Sequence, residues 1–109
     1  MEDLTELLKG VLEGCVLTIL ARGESYGYQI VRSLNGAGFE SVSEGTVYPI
    51  LVRLETKGLV TTSRVPSTTG PPRKVYTLNE AGRTASDSFW QRWDYVSARL
   101  AELREEDSV

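Results

Sequence analysis

Residues 43–58 read Ser43-Glu44-Gly45-Thr46-Val47-Tyr48-Pro49-Ile50-Leu51-Val52-Arg53-Leu54-Glu55-Thr56-Lys57-Gly58 and predict a helix with two unlike faces. Ser43 is a good N-cap and Gly58 a good stop, although Ser41 with Glu44 also fits the capping-box spacing. One face is an apolar stripe for the core, made of Val47, Ile50, Leu51 and Leu54. The other face carries groups that can meet phosphate or base edges, namely Thr46, Tyr48, Arg53 and Thr56.

The segments on either side of this helix predict a second helix and a hairpin. Before it, Ser25 is the expected N-cap of a short helix from Tyr26 to about Leu34. After it come two extended segments rich in Val, Thr and Tyr, residues 59–65 and 73–78, separated by a loop that contains three prolines. They predict a β-hairpin with a basic shoulder at Arg73 and Lys74.

The two ends of the chain predict helices with surplus apolar surface. Residues 4–21 form one expected helix, in which one face covers the core and a second stripe seeks a partner chain. That second stripe consists of Leu4, Leu8, Val11 and Cys15. Asn79 caps a final helix that runs to about Arg104. Its apolar residues follow the spacing of a helix-packing seam, at Phe89, Trp93, Val96, Leu100 and Leu103.

The order helix, helix, helix, hairpin, long helix predicts a winged helix-turn-helix, a mainly α fold with a β-hairpin wing. We expect a single domain over residues 1–109. Within it, residues 1–21 serve core and dimer contacts, 22–78 form the DNA-binding part, 79–104 are a dimerisation helix, and 105–109 are a tail.

Composition excludes several classes of function. The 109-residue chain has one cysteine and no histidine, so neither a disulfide framework nor a structural zinc site is expected. Without histidine, a paired-carboxylate site or a Gly-rich phosphate loop, we expect no enzyme activity, no cofactor and no metal. No apolar run approaches membrane-spanning length, and the start Met1-Glu2-Asp3 is acidic, so the expected location is the cytoplasm.

The charge is unevenly distributed along the chain. The total is −3, but residues 22–83 hold eight Lys or Arg against five Asp or Glu, and each flank carries −3. A basic centre between acidic ends suits a chain whose middle meets a polyanion.

Three motifs in register give the sequence a specific resemblance. They are Tyr26-Gly27-Tyr28-Gln29-Ile30, the helix of residues 44–55 with Lys57-Gly58-Leu59-Val60, and Gly70-Pro71-Pro72-Arg73-Lys74-Val75-Tyr76-Thr77-Leu78 with Gly82. Together they resemble the PadR family of bacterial transcriptional regulators, in its short subgroup with a single C-terminal helix. Asn79 stands where the family usually has Thr or Ser, and both types cap a helix. The resemblance implies a homodimeric repressor of its own operon and of genes for detoxification, efflux or phenolic-acid metabolism.

Carried over by position, the resemblance implies double-stranded DNA as partner, bound as a two-fold related operator. The implied base or phosphate contacts come from Ser43, Glu44, Thr46, Tyr48, Arg53, Arg73, Lys74 and Tyr26. Alternatives stay open for several of them. Tyr48 suits the half-buried core equally well, Glu44 is either a helix-terminus charge or a reader of cytosine N4, and Arg53 can pair with nearby acids. Tyr26 is expected nearer the DNA than Tyr28, because one of the two must pack inward.

The tryptophans raise the question of an effector. Trp93 fills a dimer interface in one interpretation. In the other, which rests on the resemblance, it stacks on a flat hydrophobic ligand at the dimer centre, flanked by Phe89 and Trp90. Cys15, on the first helix, is either a small buried hydrophobe or a redox sensor. A rival function from another class is a winged-helix protein–protein interaction module that never binds DNA.

Overall fold

The computed structural model describes residues 4–107, which form five helices and three strands within that range. The elements are α1 Thr5–Leu8, α2 Leu12–Ala21, β1 Ser25–Tyr26, α3 Gly27–Gly36, α4 Glu44–Thr56, β2 Val60–Val65, β3 Arg73–Leu78 and α5 Glu80–Asp107. The predicted winged helix-turn-helix is confirmed, with α3 and α4 as the helix pair and β2 and β3 as the wing. Within the described range, no helix is both long and apolar enough to cross a membrane.

The core lies between α2, α3, α4 and the sheet. The predicted α4 stripe is confirmed, since Val47, Ile50, Leu51 and Leu54 are all buried. They pack with Val16, Leu17 and Leu20 of α2, Ile30 and Leu34 of α3, and Val60, Tyr76 and Leu78 of the sheet. Burial of this apolar surface is the main force that holds α4 in place, with its opposite face turned outward.

The N-terminal region differs from the predicted single helix. Gly10 has φ +81°, a backbone conformation that ends α1 and turns the chain before α2 begins. The break also changes which residues face inward: Leu8 is only 8% exposed, whereas Leu7 is 75% exposed. The continuous helix over residues 4–21 is therefore wrong. Leu8 packs against its own chain instead of lying open to a second one.

The start of α3 also differs from prediction. Ser25 is not the N-cap; with Tyr26 it forms β1, which pairs antiparallel with β3 at Tyr76 and Val75. The helix starts at Gly27, and Gln29 caps it from within, since its Oε1 accepts from the Tyr26 backbone N–H at 2.9 Å. The sheet order is β1-β3-β2, and β1 leads directly into α3, so β1 anchors the wing to α3.

The joint between α4 and α5 is held by Asn79, and its predicted capping role is confirmed. Its side-chain Oδ1 accepts from the Gly82 N–H at 2.8 Å, and its Nδ2 donates to the Gly58 carbonyl at 2.8 Å. Gly58, at φ +74°, ends the α4 segment as expected. At the other end of that helix, Ser43 is the N-cap residue and α4 begins at Glu44, which excludes the alternative start at Ser41.

The helix α5 leaves the domain with its apolar seam uncovered. It continues to Asp107, beyond the end predicted at Arg104; the remainder of the predicted tail, like the acidic first three residues, lies outside the described range. Phe89, at the near end of the seam, packs on Gly14 of α2. The rest of the seam, Trp93, Val96, Leu100 and Leu103, is 40% to 58% exposed.

Candidate nucleic-acid interface

The first turns of α4 hold the predicted contact residues on two flanks, with Glu44 and Tyr48 toward α3 and the wing and Thr46 toward α2. Ser43, Glu44 and Thr46 are all exposed there. Tyr48 follows on the next turn and is 41% exposed, because one side of its ring lies on Gly27 of α3. A Cβ at Gly27 would stand 2.7 Å from the Tyr48 hydroxyl oxygen, so only glycine lets α3 and the Tyr48 ring approach so closely. Tyr48 thus has a packed side and an open side.

A cluster of two tyrosines and two arginines, here called the Tyr–Arg cluster, lies beside the flank of Glu44 and Tyr48. Tyr26 and Tyr28 stack with ring centroids 5.8 Å apart and planes 7° apart. The Arg73 guanidinium lies 5.8 Å and 5.5 Å from the two centroids, and its NH1 donates to the Tyr28 hydroxyl at 3.4 Å. Arg32 lies 5.7 Å from the Tyr28 ring. Cation–π contacts hold both guanidinium groups over the rings.

The stacking corrects one expectation about the two tyrosines. Neither is turned inward away from the other; both are half-buried and lie side by side. The Arg73 guanidinium contacts the rings of both tyrosines and so connects the wing to β1 and α3. Together with Glu44, Tyr48, Lys74 and Tyr76, the cluster lines a cleft of about 640 Å³ between α3, α4 and the wing.

Lys74, next to Arg73 on β3, already has an anionic partner in its own chain. Its Nζ lies 3.1 Å from Glu55 Oε1 of α4 and 5.5 Å from the Tyr76 ring centroid. Burial raises the pKa of the Tyr76 phenol, and the nearby Lys74 ammonium opposes that rise in part. Lys74 therefore ties the wing to α4, a structural role that the sequence did not suggest.

Arg53 and Lys57 of α4 are likewise held by a carboxylate. Glu13 of α2 lies 3.2 Å from Lys57 Nζ and 3.8 Å from Arg53 Nε. The pairing alternative for Arg53 is therefore the one observed, although the acid comes from a distant part of the sequence. Because these groups are half-exposed, each pair contributes at most about 1 kcal/mol to stability, but the carboxylate cancels charge at the end of α4.

Arg64 is a cation that the sequence analysis missed. It is exposed on β2 and pairs in register with Lys74 across the hairpin. Like charges directly opposite on two strands repel each other, and Glu55 relieves that repulsion from the Lys74 side. The hairpin register would have located Arg64, since a cation opposite a predicted cation marks one face of the wing as basic.

Three of the candidate effector residues, Phe89, Trp90 and Cys15, lie where α5 meets α2. The fourth, Trp93, lies one turn further along α5. Phe89 and Trp90 touch edge-to-face with centroids 5.1 Å apart. The Trp90 indole N–H donates to Thr18 Oγ1 at 2.9 Å, so this ring is fixed to its own chain. Cys15 is half-buried and packs against the core. Within residues 4–107, no cluster of His, Cys, Asp and Glu is suited to a metal ion.

Cys15 is expected to react slowly with thiol reagents. Burial raises the pKa of its thiol, so less of the reactive thiolate is present at neutral pH than in a free cysteine. We expect maleimide labelling at pH 7 to be slower than that of glutathione, to accelerate only at higher pH, and to become equal in urea. Labelling of the folded protein as fast as glutathione would favour the redox-sensor alternative.

Comparison with known proteins places the chain in a family. The family described as the transcriptional regulator PadR-like family matches residues 16–88, more than half of the chain. A Streptococcus transcriptional regulator of known structure is 42% identical, with 90% of this chain and 96% of that chain covered and a TM-score of 0.80. A PadR-like transcriptional regulator from Bacillus cereus is 41% identical, covers 90% and 95% of the two chains, and has a TM-score of 0.79.

A more distant structure is Bacillus subtilis PadR in complex with operator DNA. It is 28% identical, with a TM-score of 0.67 over 73% of this chain and 46% of that longer chain. The winged-helix geometry, the family match and the two structures above 40% identity agree with one another. The chain therefore belongs to the PadR family, whose members are transcriptional regulators and not enzymes.

Proposed function

We propose that this chain is a homodimeric, sequence-specific DNA-binding repressor of its own and neighbouring genes. The observation that carries the proposal is the outward face of α4 flanked by the Tyr–Arg cluster. A helix of this size fits the major groove, and cations beside it neutralise phosphates. The structure of Bacillus subtilis PadR with operator DNA supports the same use of the fold. Such a regulator acts in the cytoplasm, where the DNA is.

The proposed contacts divide between α4 and the cations beside it. Ser43, Thr46 and the open side of Tyr48 face the groove from the first two turns of α4. Glu44, in the first turn, stabilises the helix N-terminus and is placed to accept from cytosine N4. Arg73 is the main phosphate ligand, with Tyr26 beside it. Lys74 and Arg53 contribute only if phosphate replaces Glu55 and Glu13 as their partners.

The uncovered seam of α5 supports the dimer. A row of exposed Trp93, Val96, Leu100 and Leu103 along one helix is costly in water and is covered when two such helices pack together. Leu4 and Val11 are both half-exposed and would add apolar contacts to a partner chain from the N-terminal region. Residues 79–104 then serve dimerisation and 22–78 serve DNA binding, which is the division expected from the sequence.

An effector site is the finer part of the proposal. Trp90 and Trp93 are each 40% exposed, and Phe89 contacts Trp90. Two such indoles at a dimer centre suit a flat hydrophobic molecule, which would release the protein from DNA by shifting the helix pair. Cys15 would contribute apolar surface to such a site.

The test is fluorescence anisotropy on the upstream DNA of the gene and on a scrambled duplex, across a salt series. We expect tighter binding to the upstream DNA. Because Arg73 is the proposed phosphate ligand, Arg73→Ala should weaken binding to both duplexes and lower the salt slope by about 0.9 for each bound subunit. Arg104→Ala removes the same charge from the last turn of α5 and should change neither.

Equal and weak binding to both duplexes would contradict regulation of its own gene. If no genomic duplex were then bound tightly, the protein-interaction module would be the better function. If Arg73→Ala and Arg104→Ala lowered the salt slope equally, the Tyr–Arg cluster would not be the phosphate site.

A further inference from the structure

The outermost line of α4 carries small and apolar residues. A helix turns by about 100° per residue, so the line directly opposite the buried stripe runs through Gly45, Pro49, Val52 and Thr56. Val52 is 60% exposed at the middle of this line. It is a large apolar residue on the face that the proposed function turns toward the major groove.

This line lacks the side chains that read bases through paired hydrogen bonds. Arg or Lys for guanine and Asn or Gln for adenine are absent from the four positions, and Thr56 offers only a hydroxyl and a methyl group. Two charged residues beside the line already form ion pairs within the chain: Arg53 pairs with Glu13, and Glu55 pairs with Lys74. Hydrogen-bond readout from the centre of α4 is therefore weak.

Gly45 makes room for close approach to a partner. The backbone of Gly45 does not have a positive φ, and a Cβ there would meet nothing nearer than Ser43 Oγ at 3.6 Å. The fold thus does not require glycine at this position. The absent side chain leaves space outside the chain, on the same line as Val52.

We infer that Val52 recognises the C5-methyl group of thymine in the major groove. The thymine methyl is the apolar mark that distinguishes an A·T pair there, and an exposed valine between a proline and a threonine is chemically matched to it. The cations of the Tyr–Arg cluster and Arg64 flank α4 and favour a polyanionic partner over an apolar protein surface. The inference rests on the proposed function and specifies how it discriminates between sequences.

The experiment uses the tightest duplex selected from a random-sequence pool, prepared with thymine and with uracil. Uracil pairs with adenine in the same way but lacks the methyl group. Because burial of one methyl-sized group changes affinity about fourfold, we expect wild-type protein to lose about fourfold for each contacted thymine replaced singly. In Val52→Ala, the same replacement should cost much less, since the contact is already absent.

Val65→Ala is the matched control, because it removes the same atoms from another exposed valine, at the end of β2. It should keep the wild-type ratio of thymine to uracil affinities, whatever its effect on affinity itself. Thermal unfolding of Val52→Ala should match the wild type, since the side chain is outside the core.

The outcomes separate the two proposals. In one outcome, wild-type protein prefers its selected duplex over a scrambled one but binds the thymine and uracil forms equally. That result overturns the role of Val52 and leaves the DNA-binding function intact. A uracil penalty that is undiminished in Val52→Ala also overturns it. Failure to enrich any duplex contradicts the proposed function itself, and with it this inference.

Discussion

Leu100→Asp is expected to convert the protein to a monomer and to lower its affinity for operator DNA by about 10²- to 10⁴-fold. Leu100 lies in the exposed seam of α5, where a second copy of the helix is proposed to pack. A carboxylate there would lose its hydration in the interface without a partner charge, which disfavours association. Each α4, the proposed recognition helix, would then bind its half-site alone, and the gain from linking two sites would be lost.

Two measurements check this expectation. Light scattering after size-exclusion chromatography gives the oligomeric state, and anisotropy gives the operator affinity. Ala98→Asp is the control, because it places the same charge on an exposed position on the other side of α5, two residues before Leu100. It should remain dimeric. A Leu100→Asp variant that stays dimeric would refute the seam as the dimer surface, and a monomer with undiminished affinity would refute the paired half-sites.

Gly82→Ala is expected to lower the free energy of unfolding by about 3 kcal/mol. Gly82 is buried in the first turn of α5, and a Cβ there would overlap the backbone carbonyl oxygen of Leu59 and the side chain of Leu78. A flexible side chain could move aside, but the Leu59 carbonyl is fixed, since it accepts from the Asn79 N–H at 3.2 Å. The clash must therefore separate α5 from the start of the wing.

Gly36→Ala provides the control for this substitution. Gly36 ends α3 in open space, so alanine should be neutral or raise stability by up to about 1 kcal/mol through helix propensity. Urea unfolding at one fixed protein concentration measures both variants, because the stability of the proposed dimer would depend on concentration. Equal stability of the two variants would contradict the close α5–wing contact.

The parts of the fold that follow from local pattern could be predicted from the sequence. The apolar stripe of α4, the Asn79 cap and the two wing strands are encoded in spacing and in cap and turn residues that act over a few positions. The helix break at Gly10 was missed because the apolar spacing continues through it, and one glycine is compatible with a helix until its φ is known.

The candidate site was less predictable, because its net charge and its geometry depend on contacts between residues that are distant in sequence. The sequence shows the cations in the middle of the chain, but not that Glu13, on a different helix, pairs with Arg53 and Lys57 and offsets one of their two positive charges. The pairing of Ser25 and Tyr26 with β3, which holds Tyr26 beside Arg73, also joins residues far apart in sequence. No periodicity or motif spacing reports such contacts.

Asn79 bears on how this regulator would select its sites in a genome. Its two side-chain hydrogen bonds join the end of the recognition helix to the start of α5 without a flexible linker between them. In the proposed dimer, the separation of the two recognition helices is therefore fixed by the crossing of the two α5 helices. Two correct half-sites that are one base pair too far apart would be displaced by about 3.4 Å along the duplex and rotated by about 35° around it, out of line with the two helices. The proposed dimer would thus select DNA by the spacing of the two half-sites as well as by their base sequence.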